Sequence, residues 1–238
     1  MGRLARLLGE KMSCFNFEVN CKNKSRLRKG QNMAGLRAKH KADRHARILN
    51  AAVTLFRRDG YRAARIEDLA GMAEVSPGTV YNYYGSKGDI LIATVALEVE
   101  EVLSAGAAIV ADPPKGVQQA VSTLINGYYD HSLDYLSKEM WRSAMALSIE
   151  APHTQNGARY SELDGALAAQ VVALITRLQQ RGEVAAGLDV QSLGEVIFNN
   201  LNAMFIEFIK DDAMTLDTLK ARVACQTGAL AKLIEGRP

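Results

Sequence analysis

The chain has 238 residues and a formal net charge of +3, with 48% hydrophobic and 23% charged residues. This balance is typical of a globular chain with one large domain or two modest ones, and it excludes a collagen-like or low-complexity sequence. No run approaches the roughly 18 consecutive apolar residues of a membrane span, and the first residues lack the apolar core of a signal peptide. We therefore expect a cytoplasmic protein.

Charge is divided unevenly along the chain. Residues 1–44 carry 12 Lys and Arg against 3 Asp and Glu, whereas residues 91–238 carry 11 against 18. A basic first part and an acidic remainder favour contact of the first part with a polyanion. Residues 1–40 show no sustained apolar period, so we expect a basic and mostly disordered arm over that range.

Helical patterning begins after the arm. Ile48, Leu55 and Phe56 lie on one apolar stripe at helical spacing, and Gly60 ends the helix that this stripe predicts. Ser76 followed by Pro77 is a typical helix start, because serine caps a helix and proline suits its first position. The sequence therefore predicts two short helices on either side of residue 75 and a longer helix from residue 86.

The rest of the chain also predicts helices. After a break at Asp112-Pro113-Pro114, helical segments are predicted at about 116–136, 138–150, 160–181, 190–210 and 215–235. The sequence shows no alternating β-branched runs bounded by hairpin turns. We therefore predict an all-α protein in which the arm at 1–40 is followed by a three-helix domain at 41–91 and a larger helical bundle at 92–238.

The segment from Ile66 to Lys87 has the dimensions of a helix-turn-helix unit, which holds the start of its second helix against the DNA major groove. Thr79 offers a hydroxyl and a methyl group to a base edge. Tyr81 and Tyr83 carry phenols that can bond phosphate oxygens, and Lys87 adds a cation at the next helix start. The candidate DNA contacts are Arg65, Ser76, Pro77, Gly78, Thr79, Tyr81, Asn82, Tyr83 and Lys87.

The stretch from Ile48 to Lys87 resembles the DNA-binding domain of the TetR/AcrR family of bacterial transcriptional regulators. Its most specific part is the run Val75-Ser-Pro-Gly-Thr-Val-Tyr-Asn-Tyr-Tyr-Gly-Ser-Lys87. The resemblance implies an all-α homodimer, usually a repressor, that binds double-stranded DNA at a palindromic operator. It also implies a C-terminal bundle for dimerisation and for a small-molecule inducer. Thr79, Tyr81, Tyr83 and Lys87 fall on typical DNA-contact positions of this family.

Several positions depart from the family pattern. Glu74 stands where the turn often has glycine, so a charged side chain must adopt the turn geometry close to a polyanion. Tyr84 replaces the usual phenylalanine, and its additional hydroxyl requires a partner. Ala64 and Arg65 replace the threonine that often caps the following helix, which leaves Arg65 to contact phosphate. Gly88 stands where glutamate is common.

Two features of the C-terminal bundle suggest further contacts. Its last two predicted helices carry an apolar stripe and a row of small residues, which suit a symmetric four-helix dimer interface, with packing inside one chain as the alternative. The stripe is Leu193, Ile197, Leu201, Met204 and Phe208, and the small residues are Ala221, Ala224, Gly228 and Ala231. Aromatic and apolar residues with one amide form a candidate inducer pocket. These pocket residues are Tyr128, Trp141, Met145, Asn200 and Phe205.

The sequence gives no support for an enzyme. The four histidines are scattered without metal-ligand spacing, and no nucleophile elbow is present. The three cysteines lack Cys-x-x-Cys spacing, so we expect reduced thiols. We therefore expect no cofactor and no metal. The alternative to a DNA-binding regulator is a helical interaction protein without sequence-specific DNA binding, whose helix-turn-helix is only a packing unit.

Overall fold

The computed structural model describes residues 26–235, with side chains from Leu36 onward except that of Arg37. Apart from one isolated antiparallel bridge between Val184 and Glu235, the regular structure of this range is helical. The all-α prediction is confirmed. The helices are α1 (Arg26–Asp59), α2 (Ile66–Met72), α3 (Pro77–Tyr83), α4 (Lys87–Ala111), α5 (Val117–His131), α6 (Lys138–Glu150), α7 (Gln155–Gln180), α8 (Val190–Lys210) and α9 (Leu216–Ile234).

The first helix is longer than the sequence predicts. It begins at Arg26, so residues 26–40 are helical, and the expectation of a disordered arm is wrong for them. Lys, Arg and Ala favour helices intrinsically, which accounts for the helix. The sequence did not predict it because the described side chains at 38–41 are exposed and therefore form no periodic apolar stripe. The rest of the expected arm, residues 1–25, lies outside the described part of the chain.

The contacts of the chain divide it into two compact units, one ending at Ile90 and the other beginning at Leu91. In the first unit, the predicted stripe of α1 is buried, with Ile48, Leu55 and Phe56 at most 1% exposed. Leu69 of α2 and Val80 of α3 are also fully buried in this unit. A small apolar core thus fixes α2 and α3 relative to each other and to α1.

The second unit is built around the long helices α7 and α8. Gly194 of α8 lies so close to Val172 of α7 that a Cβ atom at position 194 would approach the Val172 Cα to 2.7 Å. Close helix approach of this kind requires a residue without a side chain. No helix in residues 26–235 combines the length and apolar character that crossing a membrane requires.

Candidate nucleic-acid interface and ligand cavity

A tight turn joins α2 to α3. The Val75 amide donates to the Ala70 carbonyl at 3.0 Å, and the Glu74 amide donates to the Gly71 carbonyl at 3.2 Å. Glu74 adopts a φ of 53°, a left-handed conformation that costs a residue with a side chain about 1–2 kcal/mol. Its carboxylate lies 3.2 Å from the Arg47 guanidinium. The turn is therefore formed with a strained residue where glycine would be relaxed.

The start of α3 is capped by its own residues. The Ser76 Oγ accepts a hydrogen bond from the Thr79 amide at 3.1 Å and lies 2.9 Å from the Thr79 Oγ1. Pro77 occupies the first helical position, as predicted. A Cβ atom at Gly78 would meet nothing nearer than the Ser76 Oγ at 3.9 Å. The first turn of α3 is thus rigid and presents open space over Gly78.

The exposed face of α3 contains most of the predicted DNA contacts. Pro77, Gly78 and Asn82 are exposed, Tyr81 is 51% exposed, and Thr79 is half-buried. The structure therefore brings these side chains together on one accessible surface, which we call the α3 face: Ser76, Pro77, Gly78, Thr79, Tyr81 and Asn82. Arg65 is also exposed, at the residue that precedes α2, where it makes no side-chain cap.

Two of the predicted contacts, Lys87 and Tyr83, also bond to the protein itself. The Lys87 ammonium donates to the carbonyls of Arg62 and Ala64, at 3.0 and 3.1 Å, and lies 4.8 Å from the centre of the Tyr61 ring. The Tyr83 hydroxyl donates to the Lys41 carbonyl of α1 at 3.2 Å. Both side chains are half-buried. These hydrogen bonds hold the loop before α2 and the end of α3 in place.

The hydroxyl of Tyr84 has the partner that the sequence requires. Tyr84 is 7% exposed, and its hydroxyl lies 2.8 Å from the Nε2 of His45, with the two rings stacked 5.5 Å apart. Burial, and then the nearby Lys41 cation, lower the pKa of His45. The lowered pKa favours neutral His45 at physiological pH, and its Nε2 shares a hydrogen bond with the Tyr84 hydroxyl. Sequence reasoning missed His45, although the unusual tyrosine was the signal.

The second unit contains a cavity with about 680 Å³ of empty space, part of it open to solvent. Four of the five predicted pocket residues line the cavity: Tyr128, Trp141, Met145 and Phe205. The remaining walls are mostly apolar, from Val95, Val99, Val102, Ile125, Tyr129, Tyr160, Leu163, Leu167, Phe198 and Leu201.

The fifth predicted pocket residue, Asn200, does not line the cavity. Asn200 is exposed, and its amide donates to the Gln226 side chain of α9 at 2.9 Å. The amide that lines the cavity belongs to Asn202, which follows Phe198 by four residues and precedes Phe205 by three. Those spacings place Asn202 on the same helix face as the two phenylalanines.

Two acidic side chains also line the cavity. Glu98 is 2% exposed and its Oε1 lies 2.7 Å from the Nδ1 of His131, while its Oε2 is buried without a hydrogen-bond partner. Burial raises the pKa of Glu98, and the hydrogen bond to Glu98 raises the pKa of His131 to about 9. Asp164 accepts a hydrogen bond from Asn202, and burial raises the Asp164 pKa to about 6.

Residues 48–94 match the family profile for bacterial regulatory proteins of the tetR family. This range runs from the buried stripe of α1 through the turn and α3 into the first residues of α4. The helix-turn-helix unit is therefore of the type that the tetR profile describes.

Relatives extend the similarity beyond this unit. The chain is 23% identical over 180 residues to the fatty acid metabolism regulator protein of Bacillus subtilis, across 73% of this chain and 88% of that protein. It is 38% identical over 64 residues to the HTH-type transcriptional repressor KstR of Rhodococcus jostii, across 27% of this chain and 30% of KstR. The solved regulator FadR of Bacillus subtilis, in complex with stearoyl-CoA, has the same fold, with a TM-score of 0.57, 20% identity and coverage of 77% of this chain and 97% of FadR. These relatives favour a regulator over an interaction protein that does not bind DNA.

Proposed function

We propose that the chain is a repressor of the TetR family of bacterial transcriptional regulators and that a small molecule releases it from its operator. The observation that carries this proposal is the α3 face, a rigid and exposed helix start with the chemistry to contact DNA. The cavity of the second unit supplies a site for the small molecule. Both sites lie on one chain, which is the arrangement that ligand-controlled DNA binding requires.

The α3 face reads DNA in this proposal. Thr79 and Asn82 offer hydrogen-bonding groups to base edges, and the exposed Tyr81 hydroxyl donates to a phosphate oxygen. The backbone at Gly78 approaches the DNA closely, because no side chain stands in the way. Arg65 contacts a phosphate from the start of α2. Lys87 and Tyr83 act mainly by holding the surrounding backbone, as their observed bonds indicate.

A homodimer places two copies of α3 on the operator. The apolar residues Val196 and Ile206 of α8 and Leu233 of α9 are 56%, 37% and 81% exposed in the single chain. Exposed aliphatic side chains on neighbouring helices favour an interface with a second copy. Two symmetric recognition helices then occupy half-sites about 34–36 Å apart, or a multiple of that distance.

The small residues of α9 divide between two roles in this arrangement. Gly228 and Ala231 are buried, and a Cβ atom at Gly228 would come within 2.8 Å of the Gln118 side chain of α5. That packing lies within one chain, as the alternative interpretation of the sequence held. Ala221 is exposed and remains available to the partner copy.

The decisive experiment places a carboxylate at the centre of the α3 face. DNA that binds the wild-type chain is first selected from a random pool, and the affinity of Gly78→Glu for it is measured by fluorescence anisotropy. Since a side chain at Gly78 meets open space, Gly78→Glu is expected to fold normally and to lose at least about 100-fold in DNA affinity. Gly165→Glu is the matched control, because Gly165 also lies on a helix with open space around it.

Either of two results would contradict the proposal. Wild-type affinity in Gly78→Glu would show that α3 does not face DNA. An equal loss in Gly165→Glu would show that the added charge, rather than its position, weakens binding. Circular dichroism melts of both variants establish that folding is retained.

A further inference from the structure

The charge pattern of the cavity identifies the class of molecule that it holds. Its charged lining residues, among the residues that the structure describes, are Glu98 and Asp164, and the lining contains no Lys, Arg or His. A buried anionic ligand requires cations or several hydrogen-bond donors around its charge. The lining therefore disfavours a ligand whose negative charge lies inside the cavity.

Glu98 provides an acceptor that the protein leaves unused. One carboxylate oxygen is bound to His131, whereas the Oε2 is buried and has no hydrogen-bond partner. An unsatisfied buried acceptor of this kind is costly, and a charged one more so. His131 does not neutralise its surroundings, because its Nε2 also lies 2.9 Å from Glu101 and 3.8 Å from Asp134. One imidazolium thus faces three carboxylates.

Asp164 adds a second negative group to the lining. The hydrogen bond from Asn202 fixes its carboxylate, and a pKa of about 6 leaves it mostly ionised at neutral pH. Burial favours the neutral form of a carboxyl group. A positive charge on the ligand beside Asp164 therefore stabilises the ionised carboxylate, and the carboxylate attracts the ligand.

Three aromatic residues of the walls already use their polar atoms within the protein. The Tyr128 hydroxyl donates to Gln170 at 2.7 Å, and the Tyr129 hydroxyl donates to the Leu201 carbonyl at 3.0 Å. The Trp141 Nε1 donates to the Ser132 carbonyl at 2.7 Å. These rings therefore offer a ligand their carbon surfaces rather than their donors. Aromatic faces attract cations and pack on apolar bodies.

We propose that the ligand of this cavity is an organic cation, an apolar amine or quaternary ammonium compound whose positive group lies beside Glu98 and Asp164. Its apolar body packs against the rings of Trp141 and Phe205. As an inducer this molecule rests on the proposed function, but its binding to the cavity does not depend on DNA. The two claims are therefore tested separately.

The first test compares three ligands with the same twelve-carbon chain and different head groups. Dodecyltrimethylammonium, dodecan-1-ol and dodecanoate are titrated into the full-length protein without DNA, below their micelle-forming concentrations. Trp141 is the single tryptophan of the chain and lines the cavity, so its fluorescence reports occupancy. We expect the cation to bind at least about tenfold more tightly than the alcohol and the anion to bind most weakly.

Carboxylate variants locate the effect. Glu98→Gln and Asp164→Asn are each expected to weaken binding of the cation at least about tenfold and to change binding of the alcohol less than about twofold. Glu195→Gln, on an exposed part of α8, is the control and is expected to bind the cation like the wild type. The head-group comparison uses the wild-type protein alone, so it decides the question even where a variant fails to fold.

The outcomes separate the two claims. Dodecanoate binding as tightly as the cation, or no binding of any of the three compounds, overturns the organic-cation proposal while leaving DNA binding intact. Equal loss of cation binding in Glu195→Gln also overturns it, because the attraction is then a surface effect. Tight cation binding that leaves the DNA complex unchanged supports the cavity chemistry and contradicts the proposed release.

Discussion

Lys87 provides a sharp test because the sequence and the structure assign it different roles. The sequence predicts a phosphate contact, whereas the structure bonds its ammonium to the carbonyls of Arg62 and Ala64 and places it over the Tyr61 ring. Lys87→Met keeps most of the apolar stem and removes the charge. The variant therefore separates a role in holding the loop before α2 from a role in binding DNA.

The expected loss of stability follows from these contacts. A hydrogen bond that involves a charged group contributes about 1.5–3 kcal/mol, and an exposed cation–π contact about 0.5–1 kcal/mol. Because Lys87 is half-buried and water partly replaces its bonds, we expect the free energy of unfolding to fall by about 2 kcal/mol. Urea unfolding measures this change, with Lys39→Met on the exposed part of α1 as the control.

The salt dependence of DNA binding measures the other role. Each phosphate contact contributes roughly 0.9 to the slope of log affinity against log salt concentration. If Lys87 acts through the loop, Lys87→Met is expected to weaken DNA binding while leaving this slope unchanged. Unchanged stability together with a slope reduced by about one unit per protomer would refute our interpretation and restore the phosphate contact.

Three other substitutions test separate parts of the account. Glu74→Gly relieves the left-handed backbone strain and removes a negative charge near DNA, so both stability and DNA affinity are expected to rise. Glu74→Gln removes the charge but keeps the strain, so only DNA affinity is expected to rise. Urea unfolding and fluorescence anisotropy compare the two variants, and equal stabilities would contradict the strain argument. Ile206→Lys is expected to weaken the dimer at least about 100-fold in sedimentation experiments, because each symmetric interface receives two buried charges. Ile149 is 77% exposed on α6, and the control variant Ile149→Lys is expected to leave the dimer unchanged. The pKa of His131 is raised to about 9, above its ordinary 6.5, so protonated His131 stabilises the fold fully below pH 6.5 and this contribution is lost as the pH rises through 9. His131→Gln is expected to flatten the dependence of the free energy of unfolding on pH in this range. An unchanged dependence would exclude the ion pair.

Local patterns were sufficient to predict the helix-turn-helix unit. The stripe through Ile48 and Phe56 reports burial directly, because a helix repeats its inward face every three to four residues. Ser76 and Pro77 mark the start of α3, since the capping bond is made within four residues. Features that depend only on residues within one or two helical turns can thus be predicted from the sequence.

Features that depend on residues distant in the sequence could not be predicted from local patterns. Glu98 and His131 are 33 positions apart on different helices, and neither carries a local signal of the pair that they form. Asn200 and Asn202 differ by two positions, and only the packing of α8 decides which one lines the cavity. Lys87 was predicted to bind phosphate as a cation at a helix start and from its position in the family pattern. Its bonds to the carbonyls of Arg62 and Ala64 depend on where the loop at 62–64 lies, which the local sequence does not indicate.

Selection of DNA sites from a random pool tests the central claim most directly. The account predicts that the full-length wild-type protein enriches a two-fold symmetric sequence whose half-site centres are about 10–10.5 base pairs apart, or a multiple of that spacing. It also predicts that Thr79→Ala alters the preferred base at one position of each half-site, because the contact is direct. Enrichment of no sequence above the starting pool, or of a site without symmetry, would contradict the account.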